Sequence, residues 1–273
     1  MENKITKKTE SPNLILAQRL KKIKKKLTNC KSIEESDITE IDSIIYMIES
    51  QEQYLDECTS YESSDLSKLN KLTMQTDWNR IFLEKKSNVR LMTQMMSSKL
   101  SGQLLKMLVT ISGAKKILEL GLFSGYSALA MAEGLPDHGK LISCEIDPYA
   151  AAFARSYLDS TPYGKKVQIR LGPALNLLDN FMQEGESFDF IFIDAKKTEY
   201  KQYITKIIAN KLITKQSILC IDNVFMKGAC FSKFEKQTNG SNEVKQMNQL
   251  LTSEKFFTVM LPVRDGMTIS KLR

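Results

Sequence analysis

The sequence predicts an α/β protein on a doubly wound, mostly parallel seven-stranded sheet with an N-terminal helical extension. Three observations carry that expectation. Helix and strand patterns alternate strictly from residue 99 onward. Strand segments such as "FDFIFIDA" are continuous apolar runs, the pattern of strands covered on both faces. The last two strand segments are separated only by "RDG", which leaves room for a hairpin and nothing longer.

Residues 13–28 read as a helix with Leu16, Leu20, Ile23 and Leu27 on one face. Residues 33–57 read as a second, in which Ile38, Ile41, Ile45 and Ile48 recur three to four apart and Ser32 and Glu35 have capping-box spacing. The polar stretch "ECTSYESSD" (57–65) precedes further helix around 66–84. Strands are expected at "KILELG" (116–121), "KLISCEID" (140–147), "KVQIRLG" (166–172), "FDFIFIDA" (188–195), "SILCIDN" (217–223), "FFTVMLPV" (256–263) and "MTISKLR" (267–273). Five or six of them should run parallel and one antiparallel. The chain divides into a basic extension (1–31), a helical region (32–87) and the sheet domain (88–273).

Composition narrows the function. A hydrophobic share of 42% with 26% charged residues is ordinary for a soluble chain of 273 residues. No apolar run is long enough for a membrane span and no secretory leader is visible, so a cytoplasmic protein is expected. Five cysteines without C-x-x-C pairing fit a reducing compartment. The single histidine, His138, leaves neither a histidine-rich zinc site nor a Ser-His-Asp triad. Net charge is +7, but residues 1–31 hold ten basic residues against Glu2 and Glu10, a local +8 that leaves −1 for all the rest. A basic pI near 9.0 therefore gives no warrant for a nucleic-acid interface. The stretch "RLKKIKKKL" reads as a solvated helix packed on the body or on a partner, with a weak anionic-surface contact as the alternative.

Chemistry gathers at the carboxyl ends of the strands, where open α/β sheets bind ligands. The first strand ends "LELGLFSGYS", with Glu119, Gly121 and Gly125 around a tight turn into a helix, and the second ends in Glu145 and Asp147. A glycine turn aiming backbone N–H groups at a ligand, followed by an acid for two ribose hydroxyls, describes a nucleoside site. Its G-x-x-x-G spacing disfavours a dinucleotide such as NAD. Asp194 ends the fourth strand and Asp222-Asn223 the fifth, so three oxygen side chains converge if those strands are neighbours. Such a set suits a hard cation such as Mg²⁺, although an acid or an Asp-Asn pair at a strand end also serves as a capping group.

The segments "ILELGLFSGYSALAMAEGLPDHGKLISCEID", "FDFIFIDAKKTEY", "CIDN" and "LPVRDGMTI" resemble the cation-dependent O-methyltransferases of the catechol and caffeoyl-CoA type, which use S-adenosylmethionine (SAM). The resemblance runs from about residue 88 to the C-terminus and implies a Rossmann-like class I methyltransferase fold. It implies that Ser97 lies at the methionine end of SAM, that Glu119, Gly121, Ser127 and Asp194 belong to the same site, that Glu145 binds the ribose and that Ala174 lies by the adenine. It further makes Asp194, Asp222 and Asn223 the ligands of Mg²⁺ or another divalent cation, and Lys197 the base beside the reacting hydroxyl. Lys196 departs from the plant caffeoyl-CoA enzymes, which carry an acid there, and receives no role. A narrower resemblance, through "YLDECTSYESSDL", "DW" and "SGQLLKMLV", is to the mycosporine-pathway enzymes that methylate demethyl-4-deoxygadusol, an enediol beside a ketone. The partners implied are a small-molecule substrate and a second copy in a homodimer, with no nucleic acid. A nucleic-acid methyltransferase is disfavoured because "DAKK" stands where amino-methylating enzymes have N/D-P-P-Y. A non-catalytic SAM-binding scaffold is disfavoured by the intact acids and Lys197.

Overall fold

A computed structural model describes residues 11–28 and 34–273. Four helices lead: α1 (Pro12–Leu27), α2 (Glu35–Cys58), α3 (Ser64–Gln75) and α4 (Trp78–Leu83). After α5 (Lys99–Ser112) come β1 (Lys116–Leu120), α6 (Tyr126–Gly134), β2 (Lys140–Glu145), α7 (Pro148–Leu158), β3 (Val167–Leu171), α8 (Ala174–Gln183), β4 (Phe190–Ile193) and α9 (Tyr200–Ala209). The chain closes with β5 (Ile218–Asp222), α10 (Asn239–Leu251), β6 (Phe256–Leu261) and β7 (Met267–Leu272). Among the described residues, no helix is long and apolar enough to cross a membrane.

The seven strands form one sheet in the order β3-β2-β1-β4-β5-β7-β6. Strands β1 to β5 are parallel; β7 runs antiparallel to both β5 and β6, so six strands share one direction. Strand alternation sends Ile117, Leu141, Phe190, Phe192 and Cys220 to a face covered by α3, α5, α6 and part of α7. Leu118, Leu120, Ile142, Ile191, Ile193 and Ile221 face the layer of α8, α9 and α10. Both faces are dry, which is why β4 reads as an unbroken apolar run.

Three local expectations are corrected. Helix α2 begins at Glu35 and is capped by Glu34, whose side chain forms a reciprocal box with Asp37; Ser32 lies outside the described residues. The expected helix over 66–84 is two helices, because Asp77 accepts from Arg80 N at 2.9 Å and starts α4 with Trp78 buried. The hairpin turn is longer than "RDG": β6 ends at Leu261 and β7 starts at Met267.

The basic helix does not stand free. Helix α2 carries eight acidic residues and no lysine or arginine, and α1 lies against it. Lys21 pairs with Glu49 and Lys24 with Asp42, each at 2.5 Å. Both pairs are exposed and contribute little individually, and Ala17 is the one buried residue within α1 itself.

Candidate active site

One cavity of about 1020 Å³ opens along the carboxyl ends of the strands. It sits where the strand order reverses between β1 and β4, the usual ligand position in such sheets. Its volume is at the upper end of the roughly 300–1,000 Å³ usual for ligand pockets, room for a nucleoside-sized ligand and a second small molecule.

The glycine turn after β1 forms its floor. Gly121 (φ +99°) lets β1 approach β4: a Cβ there would lie 2.2 Å from the Asp194 carbonyl oxygen. Gly125 (φ +87°) starts α6. Glu145 ends β2 with both oxygens occupied by backbone: Oε2 accepts from Leu122 N (3.2 Å) and Phe123 N (2.8 Å), Oε1 from Ile146 N (2.8 Å) and Asp147 N (2.9 Å). Two of these N–H donors fix the carboxylate to the glycine turn, and the other two hold it against its own strand end, before any ligand arrives. Asp147 does a related job, accepting from Ser87 Oγ and Asn88 N at 2.8 Å each, which anchors the 87–98 segment along the cavity's front.

Ser97, Gly121, Ser127, Glu145, Ala174, Asp194, Lys197, Asp222 and Asn223 all line the cavity. Glu119 does not; it is fully buried one layer behind, accepting from Ser127 Oγ (2.6 Å) and Ser143 Oγ (2.5 Å). It shares a sheet face with Ile117 and Ser143 beneath α6, and burial pushes its carboxyl up to about 8 against the pull of both serines. Lys196 stands at the rim, paired with Glu199 at 2.7 Å.

Pairing of Ile193 with Ile221 sets Asp194 and Asp222 side by side at the ends of β4 and β5. Burial, and then the Asp194 charge, push the Asp222 carboxyl up to about 7, with Lys197 opposing. Lys197 Nζ donates to Asp194 Oδ1 (2.5 Å) and to the Tyr200 hydroxyl (2.8 Å). Asn223 takes the left-handed conformation (φ +60°) that asparagine tolerates, and its N–H donates to Asp222 Oδ1 at 2.6 Å. Among the described residues no group of three or more His, Cys, Asp or Glu side chains is arranged to hold a metal, so the donor set is two acids and an amide. That set fits a hard divalent cation: it offers oxygen only, and one buried carboxylate resists ionisation until positive charge is supplied.

The sequence reading missed the β6–β7 turn. Asp265, pushed up to about 6 by burial, accepts from Lys227 N at 2.6 Å, and Asp265 and Arg264 both line the cavity. The available signal was topological: β6 runs with β5, so its turn must emerge at the same carboxyl edge. Backbone strain gathers here too. Of seven non-glycine residues with positive φ among the described residues, five (Phe123, Asn223, Met226, Lys227 and Arg264) line the cavity, the distribution expected where function holds strain in place.

Residues 56–272 match the family model described as O-methyltransferase, taking in α3 and α4 from the helical region set apart as 32–87. Caffeoyl-CoA O-methyltransferase 1 of Eucalyptus globulus is 33% identical over 178 residues, which are 62% of this chain and 72% of that protein. Catechol O-methyltransferase of Niastella koreensis is 40% identical over 128 residues, 46% of this chain and 57% of that one. TomG of Streptomyces achromogenes, an O-methyltransferase solved with SAM, superposes with a TM-score of 0.68 at 26% identity, covering 82% of this chain and 96% of its own. The SAH-bound methyltransferase PaMTH1 of Podospora anserina shares the fold at a TM-score of 0.70 and 24% identity, covering 83% and 95%. A family match over most of the chain, on a sheet whose ligand edge carries the glycine turn and Glu145, places this protein in the O-methyltransferase family as a SAM-dependent enzyme.

Proposed function

We propose that the enzyme methylates one of two adjacent oxygens on a small molecule, with Mg²⁺ or another divalent cation held by Asp194, Asp222 and Asn223. The observation that carries this reading is the juxtaposition of those oxygens at the ends of β4 and β5, inside the cavity that also holds the glycine turn and Glu145. When bound, the cation would supply Lewis acidity to a chelating diol or enediol, and SAM would supply the electrophilic methyl. The chain's residues do the rest. Glu145, oriented by the N–H groups of Leu122 and Phe123, receives the ribose end of SAM in exchange for part of that backbone bonding, Ala174 borders its adenine, Ser97 and Ser127 border its methionine end, and buried Glu119 fixes the Ser127 hydroxyl from behind. Lys197, hydrogen-bonded to Asp194 and Tyr200, lies beside the metal ligands where the substrate hydroxyl must lose its proton. Lys197 is held by Asp194 and Tyr200, and if Asp194 served as a ligand of the cation, Lys197 would be left to Tyr200 and that hydroxyl.

The favoured substrate is demethyl-4-deoxygadusol, on the likeness to mycosporine-pathway enzymes, because a cyclohexenone enediol presents neighbouring oxygens as a catechol does. Catechols and caffeoyl-CoA are the other substrates the relatives suggest. The enzyme is expected in the cytoplasm as a homodimer. The test is radiolabelled methyl transfer to a panel of these substrates with Mg²⁺ and with EDTA. Activity should vanish in EDTA and return with the metal, and Asp222→Ala should lose turnover by a hundredfold or more while still binding S-adenosylhomocysteine (SAH). Full turnover in EDTA would remove the cation from the reading.

A further inference from the structure

Helices α1 and α2 lie almost wholly ahead of the matched span 56–272, yet they are docked on the substrate end of the cavity. Two ion pairs make the connection. Arg19 of α1 reaches Glu235 at 2.5 Å, in the segment that lines the cavity through Ala229, Lys236 and Thr238. Glu52 of α2 pairs with Arg264 of the β6–β7 turn and also accepts from Ser11 Oγ, the cap of α1, at 2.8 Å. This second pair is mostly withdrawn from water, with Arg264 at 10% and Glu52 at 19% side-chain exposure. Helix α1 also rests against the turn Met226–Gly228, another part of the same wall.

Arg264 has a further property: it lines two cavities. On one side is the main cavity with the metal-ligand candidates; on the other is a hollow of about 520 Å³ under α1 and α2, bordered by Leu14, Glu52, Asp56, Glu57 and Tyr61. The arginine is held between them on a backbone at φ +54°, a conformation a non-glycine residue keeps only when its surroundings impose it. Its guanidinium is held by Glu52. We propose that Arg264, clamped by Glu52, is a partition that sets substrate length: closed, it confines the site to compact diols and enediols, and removed, it joins the site to an acidic hollow. This specificity role rests on the O-methyl transfer reading above. Because Glu52, Asp56 and Glu57 border the hollow, a tail entering it is accepted when neutral or cationic and repelled when anionic.

The test compares full-length wild type with Arg264→Ala, and with Glu52→Gln combined with Arg264→Ala so that no buried charge is left alone. Each is assayed for kcat/KM on catechol, on a catechol with an alkylammonium tail and on one with an alkylcarboxylate tail. SAH affinity is measured by calorimetry and should be unchanged. The expected result is a rise of at least tenfold in the ratio of ammonium-tailed to plain catechol turnover in both variants, with a smaller gain for the carboxylate tail. An unchanged ratio, or an equal gain for the two tails, overturns the partition. If wild type methylates no diol, the functional reading has failed, and calorimetric binding of the same tailed diols to the SAH complexes decides the partition: a tenfold gain for the ammonium tail alone upholds it, and equal or absent gains overturn it.

Discussion

Glu119, set with no exposure between the hydroxyls of Ser127 and Ser143, meets nearly the full cost of desolvating its charge. Its carboxyl is pushed from the usual 4.5 to about 8, so between those values the folded chain keeps a proton that the unfolded chain has released. Stability from this group therefore falls as pH rises from about 4.5 to 8 and is constant above that window. Glu119→Gln, which copies the neutral acid, should remove the fall. The cofactor-free variant should melt with wild type near pH 4.5 and above it at pH 9, by an amount on the order of a few kcal/mol in unfolding free energy. Asp222 and Asp265 titrate in both proteins, so the difference isolates Glu119. Melting curves by calorimetry that stay parallel from pH 5 to 9 would show that Glu119 is ionised in the fold.

Gly121 joins two elements rather than serving one. Its Cβ would fall 2.2 Å from the Asp194 carbonyl oxygen and 2.8 Å from the Asp194 carbonyl carbon, and β4 cannot retreat because Asp194 N donates to Leu120 O at 2.9 Å. Gly121→Ala should cost on the order of 3 kcal/mol or more and weaken SAH binding, since both φ and packing forbid the methyl. Gly113, the end of α5 at φ +64° with nothing within 4 Å, is the control: Gly113→Ala should cost about 1 kcal/mol and leave SAH binding alone. Urea unfolding and calorimetry on the two variants separate close approach from turn geometry. These elements also show where the sequence is readable. The seven strands are legible because β1, β2, β4 and β5 are buried on both faces, and the reversal of β7 because so little chain separates it from β6. The break at Asp77 is not, because a single cap against Arg80 N, with Trp78 buried behind it, overrides a continuous helical pattern. Nor is the true place of Glu119, since its partners stand eight and twenty-four residues away and meet it only once β2 lies beside β1. The β6–β7 turn escaped for a like reason: Arg264 takes its partner, Glu52, from 212 residues away.

Across the whole molecule, charge is divided by position in the chain and then brought back together by the fold. Residues 1–31 carry the local +8 and the remainder −1, yet α1 lies against the acidic α2 and sends Arg19 to Glu235. The docking is shallow: only Ala17 is buried within α1, Ile15, Leu20 and Leu27 are half-buried, and its ion pairs through Arg19, Lys21 and Lys24 are partly or largely exposed. Such contacts weaken with salt and hold an element loosely. No residue of α1 lines the main cavity, and α1 reaches its wall only indirectly, through Glu235, the Met226–Gly228 turn and the Ser11–Glu52–Arg264 chain. Deleting residues 1–31 should therefore leave the rate constant at saturating compact substrate within a few-fold, because the glycine turn, Asp194, Asp222 and Lys197 keep their supports, and Glu52 keeps Arg264 even without Ser11. The truncated chain should move from cation-exchange to anion-exchange retention at pH 8. In the full-length enzyme, tryptic cleavage within α1 at Lys21 to Lys26 should quicken between 0.05 and 0.5 M salt, on the order of severalfold as the ion pairs are screened. A truncated protein that stays folded and monodisperse but turns over a hundredfold more slowly would put α1 inside the catalytic centre, with Arg19 acting through Glu235 on the wall that meets the substrate.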